Sequence, residues 1–252
     1  MAYAVGLVSF VIRQKQPSNL QLCHPSLSVT YVPKCLTRLQ VIATLTMFEP
    51  AFTITTSRLT ISHFDASIPA HCQLIHDLYN APATQASNAA KPIPDLAAAK
   101  ALVEKGARSV KETGYGRYLV TLSSSPSTPI GMVGMALNRF PDSPHQSPTI
   151  PDLGFGLLPQ FHGMGYAAEA TAALVKYYRE ERGVSAFAGF TSEGNEGATR
   201  VFERLGWKCE GVRDVWGVKE GEVYKCVVWT DGLGEDGREV RLVDAGIGGP
   251  LV

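Results

Sequence analysis

Residues 153–170 read Leu-Gly-Phe-Gly-Leu-Leu-Pro-Gln-Phe-His-Gly-Met-Gly-Tyr-Ala-Ala-Glu-Ala. From Asp152 to Leu158 the chain is apolar apart from glycines, the pattern of a central buried strand. Gly163 and Gly165 then clear the loop of side chains, and 165–182 has Ala170, Leu174 and Tyr177 at helical spacing. Backbone N–H groups from Phe161 to Ala167 can converge at that helix N-terminus. Aligned peptide dipoles favour an anion there, and the turn can form a nest for a phosphate or pyrophosphate. The turn has no lysine and no G-x-x-x-x-G-K-[ST], which argues against a nucleotide triphosphatase. Gly163-Met-Gly165-Tyr-Ala-Ala168 also fits G-x-G-x-x-A, the turn of a dinucleotide site. That site needs an acid ending the next strand, about 20 residues on. Glu180 and Glu181 lie before that strand, and Glu193 lies too far along. An NAD(P)-binding oxidoreductase is therefore a remote alternative, and glycines that serve only packing are a third.

Working outward, 51–64 carries β-branched residues at short spacing and reads as a strand. Helices are predicted over 68–78 and 95–113, the second capped by Asp95 and stopped by Gly114. Strands follow at 115–123 and 130–139, with a turn between them, and then a loop at 140–151 rich in Pro, Ser and His. Past the quoted stretch come a strand at 184–190, a helix at 195–205 closed by Gly206, and strands at 207–216 and 222–230. The order predicts an α+β fold with helices on both faces of one mixed sheet. Residues 232–252 are glycine-rich and lack periodicity, so a flexible tail is expected.

The chain has 252 residues, 45% of them hydrophobic and 18% charged, which suits one domain with extensions. Lys plus Arg equals Asp plus Glu at 23 each, so the balance gives no support for a nucleic-acid partner. Five cysteines without C-x-x-C spacing argue against a zinc ribbon or a disulfide scaffold, and no metal is expected. No run approaches the roughly 18 apolar residues of a membrane span, so no membrane partner is expected. Residues 1–48 carry Arg13, Lys15, Lys34 and Arg38 and no acid. They read as an unstructured extension, with a mitochondrial presequence as the alternative to a cytoplasmic location.

Gln160-Phe-His-Gly163-Met-Gly165-Tyr166-Ala167 resembles the Q/R-x-x-G-x-G/A signature of the GNAT N-acetyltransferases. Asn195-Glu-Gly-Ala198-Thr-Arg-Val201-Phe202-Glu-Arg-Leu205-Gly206-Trp207 resembles the family's "N…(S/A)…LGF" helix, with Trp for the final Phe. Thr56-Ser-Arg58-Leu59-Thr-Ile61 is similar to the opening strand of the branch containing the ribosomal-protein-alanine N-acetyltransferases. The resemblance covers 52–231.

It implies the GNAT acyl-CoA N-acyltransferase fold, a mostly antiparallel sheet whose two central parallel strands splay apart. Acetyl-CoA, as co-substrate, would enter between 152–158 and 184–190. Leu157 and Leu158 would supply backbone pairing, with the Leu157 amide also meeting the oxyanion. Gln160, His162, Gly163, Met164, Gly165, Tyr166 and Ala167 match the pyrophosphate loop, where the His162 N–H counts and its ring does not. Asn195 matches the cofactor-side asparagine, though a plain helix N-cap explains it as well. Asp152 stands where relatives often have Glu and is the candidate base; a surface acid is the competing reading.

Many relatives place a tyrosine where this chain has Phe202, and Ala198 replaces a common serine, so no general acid is assigned. The implied reaction is direct acetyl transfer to a primary amine, either a small molecule or a protein N-terminus, by a monomer or homodimer. A catalytically silent acyl-CoA-binding module is the alternative. Recognition of the acceptor would fall to the first two helices, the 140–151 loop and the final hairpin, with Trp216 and Tyr224 near it. No dense acidic patch suits a polycationic acceptor.

Overall fold

The computed structural model describes residues 52–86, 91–235 and 238–248. The extension at 1–48 and its two readings lie outside the described residues. The segment read as one strand is instead a hairpin, β1 (Thr53–Thr55) and β2 (Leu59–His63), because Thr56 turns the chain back. Its hydroxyl accepts the Leu59 N–H at 2.9 Å and its own N–H donates to the Leu59 carbonyl.

Helices α1 (Pro69–Asn80), α2 (Pro82–Ala86) and α3 (Leu96–Thr113) follow. The short α2 lies between the two predicted helices, where the sequence reading assigns no element. Asp95 caps α3 by accepting the Ala98 N–H at 2.8 Å, and Gly114 ends it in the left-handed region at φ 76°. Strands β3 (Gly116–Leu122), β4 (Ser125–Ala136) and β5 (Asp152–Leu157) form an antiparallel run; β4 starts five residues before its expected position. Beyond β5 come a 3-10 turn (Pro159–Phe161), α4 (Tyr166–Glu180), β6 (Phe187–Thr191), α5 (Glu196–Arg204), β7 (Lys208–Lys219), β8 (Glu222–Asp231) and α6 (Arg238–Asp244).

The eight strands form one sheet in the order β1-β2-β3-β4-β5-β6-β8-β7. Only β5 and β6 run parallel. Helices α4 and α5 cover one face, where Leu153, Leu174, Tyr178, Phe187, Phe202 and Trp229 belong to a common core. On the other face α1 and α3 enclose a second cluster around Leu74, Ile75, Val103 and Leu119. Helix α6 lies on the β6–β8–β7 half of that same face.

The expectation of a flexible tail needs correcting at 238–248. Leu242, Ala245 and Ile247 are buried against Ala188, Val215, Cys226 and Val228. Gly246 (φ 71°) makes the left-handed C′ turn, the Ile247 N–H donates to Leu242 O, and the Gly246 N–H donates to Val243 O. This is a Schellman stop. The glycine terminates a helix; it does not loosen the chain.

Candidate active site

Strands β5 and β6 share a single register pair, Asp152 with Ala188, supported by the Ala188 N–H donating to Pro151 O at 2.9 Å. From there β5 follows β4 as far as Leu157, and β6 follows β8. The two strands part, and a cleft of about 1160 Å³ opens beside the gap.

Register determines which β5 peptides face the gap. The Leu158 N–H donates to Ile130 O at 2.9 Å, continuing the β4 pairing. In an antiparallel ladder alternate residues are bonded, so Gly156, Gly154 and Asp152 spend their peptide groups on β4. Leu157, Phe155 and Leu153 turn theirs toward the gap. The Leu157 peptide thus faces the gap. The Leu158 peptide does not, against the pairing expected of it: its N–H belongs to β4, and its side chain packs with the α1–α3 cluster.

The loop after β5 also divides differently from the sequence reading. Phe161 and His162 donate their N–H groups to Leu158 O (2.9 Å) and Pro159 O (3.1 Å) within the 3-10 turn. Those amides are spent. The His162 ring, expected to be idle, instead lies with Nε2 2.8 Å from the Leu157 carbonyl. Gln160 is exposed and does not line the cleft. Gly163 (φ 75°) and Gly165 (φ 80°) occupy the left-handed region that favours glycine.

Gly165 caps α4 without a side-chain acceptor, and the first bond back is from the Glu169 N–H. The amides of Tyr166, Ala167 and Ala168 therefore begin the helix unpaired, and these residues line the cleft with Gly163 and Gly165. Uncapped donors at the positive end of a 15-residue helix make an anion site. Diphosphate chemistry fits it.

Arg58 holds this loop in place. Its Nη1 donates to Met164 O at 3.0 Å, its guanidinium stacks 4.6 Å from the Tyr166 ring centroid, and it pairs with Glu169 at 2.6 Å. Glu169 also accepts from the Thr56 hydroxyl (2.6 Å), the Ser57 hydroxyl (3.0 Å) and the Arg58 N–H (3.0 Å). Desolvation pushes the Glu169 carboxyl up, but these hydrogen bonds outweigh it and hold it below the usual range. The sequence showed the Thr56–Leu59 motif without its purpose, which is a contact across more than a hundred residues.

Asp152 is buried, lines the cleft and is bonded through both oxygens to Arg139. To take a proton it must give up a charge-assisted bond. Asn195 caps α5, its side-chain oxygen accepting the Ala198 N–H at 3.1 Å, and it lines the cleft; among the described residues its amide NH2 has no hydrogen-bond partner. Phe202 is 1% exposed and stacks on Trp229; a Cβ on Gly189 would come within 2.3 Å of its ring. It plugs the core beneath the parted strands. Tyr224 lines the cleft with Tyr79, whereas Trp216 stacks on His145 at 3.5 Å and fastens the 140–151 loop to β7.

Residues 58–208 match the family model of the acetyltransferase (GNAT) domain. The chain belongs to the GNAT acetyltransferases. Acetyl-CoA is accordingly its acyl donor. No curated relative matches the chain. Among solved structures, an acetyltransferase from Agrobacterium tumefaciens is 22% identical, covers 73% of this chain and 96% of its own length, and gives a TM-score of 0.56. A ribosomal-protein-S5-alanine acetyltransferase from Vibrio fischeri is 13% identical, with 73% and 98% covered and a TM-score of 0.54. RimL, a ribosomal L7/L12 α-N-protein acetyltransferase solved in complex with coenzyme A, is 16% identical, with 71% and 97% covered and a TM-score of 0.54. At these identities the likeness is one of fold. Among the described residues no helix is long and apolar enough to cross a membrane.

Proposed function

We propose that this GNAT enzyme moves an acetyl group from acetyl-CoA directly to a primary α-amine within a ternary complex. The observation that carries the reading is the pair of parted strands ending at an uncapped helix N-terminus. The CoA diphosphate accepts from the amides of Gly163 through Ala168. The pantetheine arm lies along the Phe155 and Leu157 peptides, and the Asn195 amide contacts it.

The neutral amine attacks the thioester carbonyl, forming the C–N bond. The oxyanion that develops is met by the Leu157 N–H. Collapse breaks the C–S bond, the departing thiolate takes a proton from solvent, and the amine nitrogen loses its extra proton. An α-amino group near pKa 8 is about one-tenth neutral at pH 7, against about one in 2,500 for a lysine. A dedicated strong base is therefore dispensable for α-amines. Asp152, held by Arg139, serves this reaction as a fixed charge at the fork and as a proton acceptor only through water.

The likeness to the α-N-protein acetyltransferase fold supports a protein N-terminus as acceptor over a lysine. Titration with CoA and with NADPH, followed by thiol release from acetyl-CoA in the presence of an amine panel, tests the proposal. CoA binding with amine-dependent thiol release is expected. Gly163→Asp should weaken CoA binding at least tenfold, since a carboxylate would meet the diphosphate. CoA binding without thiol release on any amine would leave only an acyl-CoA-binding module.

A further inference from the structure

On β4 and β5, three positions of the sheet face that carries Asp152 lack side chains: Gly134, Gly154 and Gly156. Arg117 on β3 is in register with Gly134, which is in register with Gly154. A Cβ on Gly134 would come within 3.3 Å of the Arg117 Cγ, so the arginine stem lies against bare backbone. Its guanidinium stands 5.7 Å from the Tyr79 ring centroid. Helix α3 brings Lys105 and Arg108 to the same cleft. Among the described residues no carboxylate lies within 4 Å of any of these three cations. Arg139, by contrast, is consumed by Asp152. Glu112 is the single acid that α3 presents to this cleft.

These cations are not where the donor's phosphates go. Arg117 stands level with Gly154, near the start of β5, and Gly106, between Lys105 and Arg108, lies against the neighbouring Gly116, where a Cβ would come within 3.2 Å of the Gly106 carbonyl; the diphosphate loop follows the other end of β5. Uncompensated like charges along a concave wall attract and orient an oppositely charged ligand. Three charges spread over a helix and a strand suit several carboxylates strung along a chain better than a single one.

We infer that Lys105, Arg108 and Arg117 select the acceptor: a polypeptide N-terminus whose first residues after the amine are acidic. This rests on the transfer reading above for the reaction, though not for the binding.

The test uses the full chain and three peptides identical except at positions two to five, which are Asp/Glu, Ser or Lys. Thiol release gives kcat/KM, and fluorescence anisotropy of the same peptides with the CoA-loaded protein gives affinity without turnover. We expect the acidic peptide to lead the lysine peptide at least tenfold in both readouts at low salt. The gap should narrow as salt rises and collapse in Arg117→Gln/Lys105→Gln while CoA affinity holds. Equal or reversed preference, a preference that survives the double variant, or a free acidic amino acid acetylated as fast as the acidic peptide would overturn the inference. If CoA binds but no peptide turns over, the transfer reading fails, and anisotropy still decides this one. Should the double variant not fold, Lys105→Gln/Arg108→Gln and the salt dependence of the intact protein give the answer.

Discussion

Arg58 and Glu169 show how one ion pair can shape a binding loop from outside it. Glu169 sits in the first turn of α4, where a negative charge suits the helix dipole. Left alone it would also repel a diphosphate at that end. Arg58 neutralises it and at the same time ties down the Met164 carbonyl, so the neighbouring amides stay turned toward the cleft. Arg58→Ala should therefore raise the KM for acetyl-CoA about fivefold, equivalent to roughly 1 kcal/mol, with little change in kcat at saturating donor. Initial rates at varied acetyl-CoA check this; an unchanged KM would reduce Arg58 to a surface tether. Asp152→Asn should behave differently. It strands the Arg139 guanidinium without its counter-charge, so the melting temperature should fall and kcat should drop, while CoA titration stays as in the parent protein.

At the scale of elements, α6 works as a strap. With the turn that follows it, α6 buries Leu242 and Ile247 in the β6–β8–β7 half of the sheet, and the Thr149 N–H donates to Ala245 O at 2.9 Å, which pins the 140–151 loop. That loop joins β4, with Arg139 just beyond its end, to Asp152 at the fork. Ile247→Ala should cost about 2–5 kcal/mol, the range for truncating a buried isoleucine to alanine in a packed core, read as a lower denaturant midpoint. Glycine density over 232–252 predicts looseness and hides this strap. A glycine that ends a short helix looks the same in one dimension as a glycine in a linker. The α3 limits, in contrast, were legible residue by residue: Asp95 caps it and Gly114 stops it, both through bonds made within a few positions.

At the scale of the whole molecule, two carboxylates fasten distant parts of the chain and link stability to pH. Glu210 on β7 accepts from the Arg238 Nε (2.6 Å) and the Thr230 hydroxyl (2.6 Å), joining α6 to the sheet. Burial pushes its carboxyl up, but the arginine and the hydroxyl prevail and hold it low. Glu169 is lowered likewise. A carboxyl with a depressed folded pKa adds stability that is complete above its unfolded value, near 4.3, and is lost as pH falls through the folded value. The thermal midpoint should thus decline steeply between about pH 5 and pH 3. In Glu210→Gln it should start lower and decline less. Parallel slopes for the two proteins would remove Glu210 from the account.

Helix caps, alternation along strands and the Gly163–Gly165 turn are local: each depends on residues close together in the chain, and each could be read from the amino acids alone, as could the family they resemble. The partition of amides in the loop, the loss of Leu158 to β4, the grip of Arg139 on Asp152 and the role of Arg58 could not. The loop amides turn on a 3-10 turn competing for the same N–H groups, and the other three on a partner that the fold brings in from another segment. A peptide group or a carboxylate has few bonding positions to give, and only the folded chain settles which partner takes them.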